Sequence, residues 1–184
     1  MSKTIFILGG ARSGKSTYAE RLAKELGNDS VLYVATAEAK DLEMDARIER
    51  HQRERPSTWK TLEASTKICV GIQETWDGQA VILIDCLTLL VSNILLASIG
   101  EDDTPDNLEL IQGTVLAEMD SLATTIETLD VHAIIVSNEV GLGLVPPYEL
   151  GRIYRDVLGR ANQYAAQYAD EVHFLVSGIP MQVK

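Results

Sequence analysis

Thr4-Ile5-Phe6-Ile7-Leu8-Gly9-Gly10-Ala11-Arg12-Ser13-Gly14-Lys15-Ser16 is the stretch whose reading decides the fold. A short apolar run rich in β-branched residues passes into a full match to GxxxxGK[ST] over Gly9 to Ser16, and an amphipathic helical pattern follows from there. Strand, glycine turn and helix in that order are the context a phosphate-binding loop needs. The glycines let successive backbone N–H groups curl around β- and γ-phosphates, and the helix start adds its positive dipole end. Lys15 then reaches the β/γ oxygens, and the Ser16 hydroxyl is placed to ligate a Mg2+ that bridges them. The expected phosphate contacts are Gly9, Gly10, Ala11, Arg12, Ser13, Gly14, Lys15 and Ser16; Arg12 either adds charge or points to solvent.

Outward from this loop, apolar runs recur at 31–35, 81–84, 133–136 and 172–176, after the first at 4–8. They are near-continuous rather than alternating, as strands covered on both faces are, and helical patterns at 16–26, 41–53, 87–99, 108–129 and 150–168 separate them. The expectation is an α/β fold, a single P-loop NTPase (RecA-like) domain over 1–184 with a mainly parallel sheet flanked by helices. The stretch 55–76 reads as a short strand or as an irregular crossing; 100–105 and 141–147 are surface loops by composition. Asp85 closes the strand at 81–84, so its carboxylate stands at the carboxyl edge of the sheet beside the loop. There it serves as a metal partner, as the N-cap of the helix beginning at Leu87, or as both. Thr36, Asn138 and Glu139 follow other strands to the same edge, where open α/β sheets bind ligands.

Composition narrows the function further. Sixteen Lys and Arg against 27 Asp and Glu give the 184 residues a net charge of −11, which argues against a nucleic-acid coat. Aromatic residues at 5% leave little material for base-stacking platforms. With 46% hydrophobic and 23% charged residues the chain reads as an ordinary globular protein with a real core. No run is long enough to span a membrane and the opening segment does not read as a signal peptide, so the expected location is cytoplasmic. Cys69 and Cys86 have neither CxxC spacing nor histidine neighbours, and both read as core thiols.

Of three histidines, His132 and His173 fall at or within strands and read as structural. His51 lies near the end of Met44-Asp45-Ala46-Arg47-Ile48-Glu49-Arg50-His51-Gln52-Arg53-Glu54-Arg55-Pro56, a helical pattern crowded with arginine and stopped by proline. A merely solvated charged helix explains this run. So does a nucleophilic imidazole attacking phosphorus with arginines stabilising the developing charge. The pattern alone does not choose.

Taken together, the loop from Gly9 to Ser16, Ala35-Thr36, Asp45-Ala46-Arg47-Ile48, His51, Arg55-Pro56, Trp59 and Glu63 resemble one family. Asp85-Cys86-Leu87-Thr88, Asn93, the run from Asn138 to Pro146, Arg155-Asp156, the run from Gly159 to Gln163 and that from Val176 to Pro180 continue the likeness. The family is the bifunctional adenosylcobinamide kinase/adenosylcobinamide-phosphate guanylyltransferase of cobalamin biosynthesis, and the likeness spans nearly the whole chain. It implies phosphorylation of the aminopropanol hydroxyl of adenosylcobinamide by ATP or GTP. Transfer of GMP from GTP onto that phosphate follows, with release of pyrophosphate. His51 matches the guanylylated histidine, and Lys15 is its catalytic companion. Val34, Ala35, Thr36, Gln52, Arg53, Glu54, Arg55, Glu63 and Asp85 match nucleotide-contacting positions, with Ser16 and Asp85 on Mg2+. A carboxylate at Glu63 suits guanine, since it accepts from both N1–H and the exocyclic amine. Arg50 stands where a second histidine might be expected beside the nucleophile. The resemblance also implies a homotrimer. The alternatives are a P-loop small-molecule kinase without nucleotidyl transfer and, from another class, a regulatory GTPase or nucleotide-binding module, against which the absence of NKxD weighs.

Overall fold

The structure is a computed structural model and describes residues 2–38, 53, 55–99 and 108–184. Seven strands form one sheet: β1 (Thr4–Gly9), β2 (Val31–Ala35), β3 (Lys60–Glu63), β4 (Val81–Asp85), β5 (His132–Val136), β6 (Glu171–Val176) and β7 (Ile179–Gln182). The helices described are α1 (Lys15–Gly27), α2 (Ile68–Thr75), α3 (Leu87–Ala97), α4 (Leu108–Leu129) and α5 (Glu149–Tyr168). The strand order is β3-β2-β4-β5-β1-β6-β7, all parallel except β7, which runs antiparallel to β6.

Successive residues of a strand point to opposite faces, and the core divides accordingly. Phe6, Leu32, Val34, Ile82, Ile84, Ala133 and Ile135 pack under α2, α3, α4 and α5. Ile5, Ile7, Val31, Tyr33, Val81, Leu83 and Ile134 pack on the other face, under Ala19 and Ala23 of α1 and against Trp59. Both faces of the central strands are thus sealed, which explains why these segments read as unbroken apolar runs.

The five expected strands are present, and the mainly parallel α/β architecture with them. Residues 55–76, read as strand or crossing, supply both β3 and α2. The strand β7 is an addition to the expected set. Its signal is the two-residue turn Ser177-Gly178, with φ of 51° and 85°, the pair of positive values a tight hairpin demands. The helix expected at 41–53 lies outside the described residues except for Arg53, and the loop expected at 100–105 lies outside them entirely. Among the described residues no helix is long and apolar enough to cross a membrane.

Candidate active site

The chain leaves β1 at Gly9, where a Cβ would come within 2.7 Å of both Leu175 O and Ser13 Oγ, so only glycine lets the turn form against β6. Gly14, at φ 89°, turns the backbone into α1. Lys15 is the first residue of that helix and is buried, with its Nζ donating to Gly10 O at 2.6 Å across the loop. Ser13 Oγ is buried without a hydrogen-bond partner. An orphaned hydroxyl inside a turn of backbone N–H groups is what an incoming anion would satisfy. The β6–β7 hairpin closes on the same loop: Gly178 N–H donates to Ser13 O at 2.8 Å, and a Cβ on Gly14 would lie 3.3 Å from Gly178 Cα.

Two strand spacings from β1, about 9.5 Å, stands Asp85 at the end of β4. Register puts Ala35 beside Asp85 and Glu63 beside Ala35, so the three share the α1 face of the sheet and form a row along its carboxyl edge. Glu63 is exposed and lies four strand spacings, about 19 Å, from β1. The Asp85 carboxylate does not cap α3; that position is Cys86, with no side-chain cap bond. Instead Asp85 Oδ2 accepts a hydrogen bond from Tyr33 Oη at 2.9 Å. The Arg55 guanidinium lies 3.6 Å over the Tyr33 ring, and its Nε is buried without a hydrogen-bond partner. Burial, with the Asp85 carboxylate next, pushes the Tyr33 phenol far above its ordinary range, so it remains a donor.

Polar side chains fasten this edge. Thr36 Oγ1 donates to Cys86 O at 2.7 Å and accepts from Cys86 N–H at 2.8 Å, while Asn93 Nδ2 donates to Thr36 O at 2.9 Å. Beyond β5, Asn138 N–H donates to Thr88 Oγ1, Ser137 Oγ to Asn162 Oδ1 and Asn162 Nδ2 to Asn138 O, at 2.7, 2.7 and 3.0 Å. Glu139 N–H donates to Gly9 O at 3.0 Å, joining the next loop to the phosphate loop.

The structure therefore gathers Gly9 through Ser16, Thr36, Arg55, Asp85, Asn138 and Glu139 at one edge, with Glu63 farther along it. Val34 is wholly buried in the core, and Ala35 and Thr36 expose almost nothing. Arg53 is exposed. His51, Gln52 and Glu54 lie outside the described residues. His132 and His173 are structural as read: His132 Nδ1 accepts from Lys3 N–H at 3.1 Å, and His173 Nδ1 pairs with Tyr18 Oη at 2.9 Å. Cys69 is buried and Cys86 half-buried, both unbridged. Tyr33 is the site residue that sequence reasoning misses. Its signal is a hydroxyl-bearing ring inside an apolar strand, which must find a partner when buried.

For a metal, Ser16 and Asp85 offer hard oxygen donors, and among the described residues no three His, Cys, Asp or Glu side chains cluster as a cage. This donor set fits Mg2+, which is commonly bound by one or two protein oxygens together with substrate phosphates.

Residues 5–183 match the family model described as cobinamide kinase / cobinamide phosphate guanyltransferase. The chain is 40% identical over 183 residues to the bifunctional adenosylcobalamin biosynthesis protein CobU of Escherichia coli (strain K12), covering 98% of this chain and 99% of that one. It is 42% identical over 178 residues to the bifunctional adenosylcobalamin biosynthesis protein CobP of Pseudomonas aeruginosa, covering 97% and 95%. Among solved structures it resembles an ATPase domain, with a TM-score of 0.55 at 16% identity over 95% of this chain and 69% of that one. A DnaB-like replicative helicase follows, with a TM-score of 0.53 at 15% identity over 94% and 46%. At such identities these two establish the P-loop ATPase fold alone.

Proposed function

The chain belongs to the cobinamide kinase / cobinamide phosphate guanyltransferase family, and from that premise we propose how its residues divide the work. The protein is a bifunctional enzyme of cobalamin biosynthesis that phosphorylates cobinamide and guanylylates the product. The observation that carries the residue-level reading is the braced phosphate loop, with the Lys15 ammonium laid across it and Asp85 two strands away on the same edge.

In the kinase step, backbone N–H groups of Gly9 to Gly14 and the Lys15 ammonium hold the triphosphate of ATP or GTP. The hydroxyl oxygen of adenosylcobinamide bonds to the γ-phosphorus as the bond to the β–γ bridging oxygen breaks. A nucleoside diphosphate leaves and the hydroxyl proton is released. Ser16 Oγ and Asp85 would hold Mg2+, which when bound neutralises charge on the phosphate oxygens. Tyr33 keeps one Asp85 oxygen oriented by its hydrogen bond.

In the transferase step a neutral His51 nitrogen bonds to the α-phosphorus of GTP and pyrophosphate departs. An oxygen of adenosylcobinamide phosphate then displaces the imidazole, giving adenosylcobinamide-GDP and free His51. Splitting one displacement into two is what a covalent nucleophile contributes. Glu63 accepts from the guanine edge, which places the base along the row from Asp85 toward β3, and Gln52, Arg53, Glu54 and Arg55 flank the nucleotide. A homotrimer and a cytoplasmic site of action belong to the same reading.

The test is incubation with GTP labelled at the α-phosphate and Mg2+, followed by alkaline denaturation, under which a phosphohistidine bond survives. Label retained by the protein and lost in His51→Ala is the expected result; an unlabelled wild-type protein leaves the alternative, a P-loop small-molecule kinase without nucleotidyl transfer.

A further inference from the structure

Between β5 and α5 the chain runs through Val140-Gly141-Leu142-Gly143-Leu144-Val145-Pro146-Pro147-Tyr148. Leu142, Leu144 and Val145 are 81%, 96% and 63% exposed, and Tyr148 is 64% exposed. Single exposed apolar residues are ordinary, but four within seven positions beside a catalytic loop point to a surface that something covers.

The segment is built rather than slack. It hangs from the phosphate loop through Glu139 N–H on Gly9 O. Glu139 Oε1 then accepts from Gly141 N–H at 2.5 Å. At the far end Arg152 Nη1 donates to Pro146 O and Pro147 O, at 3.2 and 2.8 Å. A Cβ on Gly151 would come within 2.6 Å of the Tyr148 ring and 2.8 Å of Pro146, so the loop's end sits tightly on α5.

Position selects the occupant. Asp85, Ala35 and Glu63 line the α1 face, the side along which the nucleotide extends in the reading above. Val140 packs against the opposite core, beneath α5. Phosphoryl transfer needs the attacking and leaving oxygens roughly in line, so the acceptor approaches the terminal phosphate from the side away from the nucleotide. Val140 roots this loop on that side.

We propose that residues 140–148 are the corrinoid-docking surface, where Leu142, Leu144 and Val145 take the methyl groups along the edge of the macrocycle while its hydroxyl-bearing arm reaches the phosphate loop. The inference rests on the cobinamide reading and adds the surface that holds this substrate. Because binding energy at the macrocycle is remote from the reacting atoms, it positions the hydroxyl in the first step and the phosphate formed on it in the second.

The test compares wild type, Leu142→Ser/Leu144→Ser and Leu142→Met/Leu144→Met. Cobinamide affinity is read by equilibrium dialysis through the corrin absorbance, with GTP affinity and sedimentation mass measured alongside. Exposed leucines make few internal contacts, so all three proteins fold. The serine variant is expected to lose on the order of tenfold or more in cobinamide affinity, as removal of buried apolar area from two leucines implies. The methionine variant should stay within about threefold, with GTP affinity and mass unchanged. Equal cobinamide binding by wild type and the serine variant overturns the proposal while leaving the enzyme's function standing. A changed sedimentation mass also overturns it, because the loop then seats another copy of the chain. A wild-type protein that does not bind cobinamide removes the functional reading, and this inference with it.

Discussion

Tyr33 Oη donates to Asp85 Oδ2 at 2.9 Å while the Arg55 guanidinium lies 3.6 Å over the same ring, so one buried tyrosine joins β4's terminal carboxylate to an arginine from the end of the histidine-bearing stretch. Tyr33 and Asp85 are diagonal neighbours on adjacent strands, since Ala35 is the register partner of Asp85. Tyr33→Phe keeps the ring under Arg55 and removes only the hydroxyl. Stability should fall by about 1 kcal/mol. The Mg2+ concentration for half-maximal GTP binding should rise roughly threefold or more, as a freely rotating Asp85 carboxylate must be ordered by the ion itself. Urea unfolding and a Mg2+ titration of GTP binding check the two effects separately.

Lys15 and His51 should separate the two reactions. Lys15→Ala removes the charge that grips the phosphates and should lower kcat/KM of both activities by on the order of 100-fold or more. His51→Ala should abolish label transfer from GTP while part of the kinase turnover persists. Parallel assays of cobinamide phosphorylation and guanylylation distinguish these patterns.

Asn162 holds two groups at once, accepting from Ser137 Oγ and donating to Asn138 O, and it is 5% exposed. Asn162→Ala leaves the buried Ser137 hydroxyl only its longer contact with Thr88 Oγ1, at 3.3 Å, and takes a donor from Asn138 O, and should cost about 1 to 3 kcal/mol in urea unfolding. Because Asn138 and Glu139 lead into the loop at Gly9, a drop in GTP affinity should accompany the lost stability.

The Cys69 thiol is pushed up to about 11, first by burial and then by the Glu118 carboxylate. Its folded value exceeds that of an unfolded cysteine, so its contribution is intact below the unfolded pKa of about 9 and is lost as pH rises toward 11. Cys69→Ala should therefore flatten part of the stability decline between about pH 9 and 11 in unfolding titrations, and thiol reagents at about pH 8 should modify Cys69 slowly in the native protein.

Much of this was legible because local chemistry and tertiary demand agree. The run from Gly9 to Ser16 announces its own turn, and central strands sealed on both faces have to be apolar throughout. Lys60–Glu63 was ambiguous because β3 is an edge strand whose exposed Lys60, Thr61 and Glu63 carry no apolar run. Ile179–Gln182 is hard to read for the same reason, with every residue exposed. The likeness that pointed to Asp85 and Glu63 could not reveal Tyr33, whose role arises only when β2 and β4 lie side by side. Nor does spacing disclose that Gly178 reaches Ser13, since nothing local links two residues from opposite ends of the sequence.

That reach orders events during synthesis. The glycine turn at residues 9–14 leaves the ribosome well before Gly178, whose amide braces it. A growing chain therefore carries the anion grip without this brace until the closing hairpin folds back.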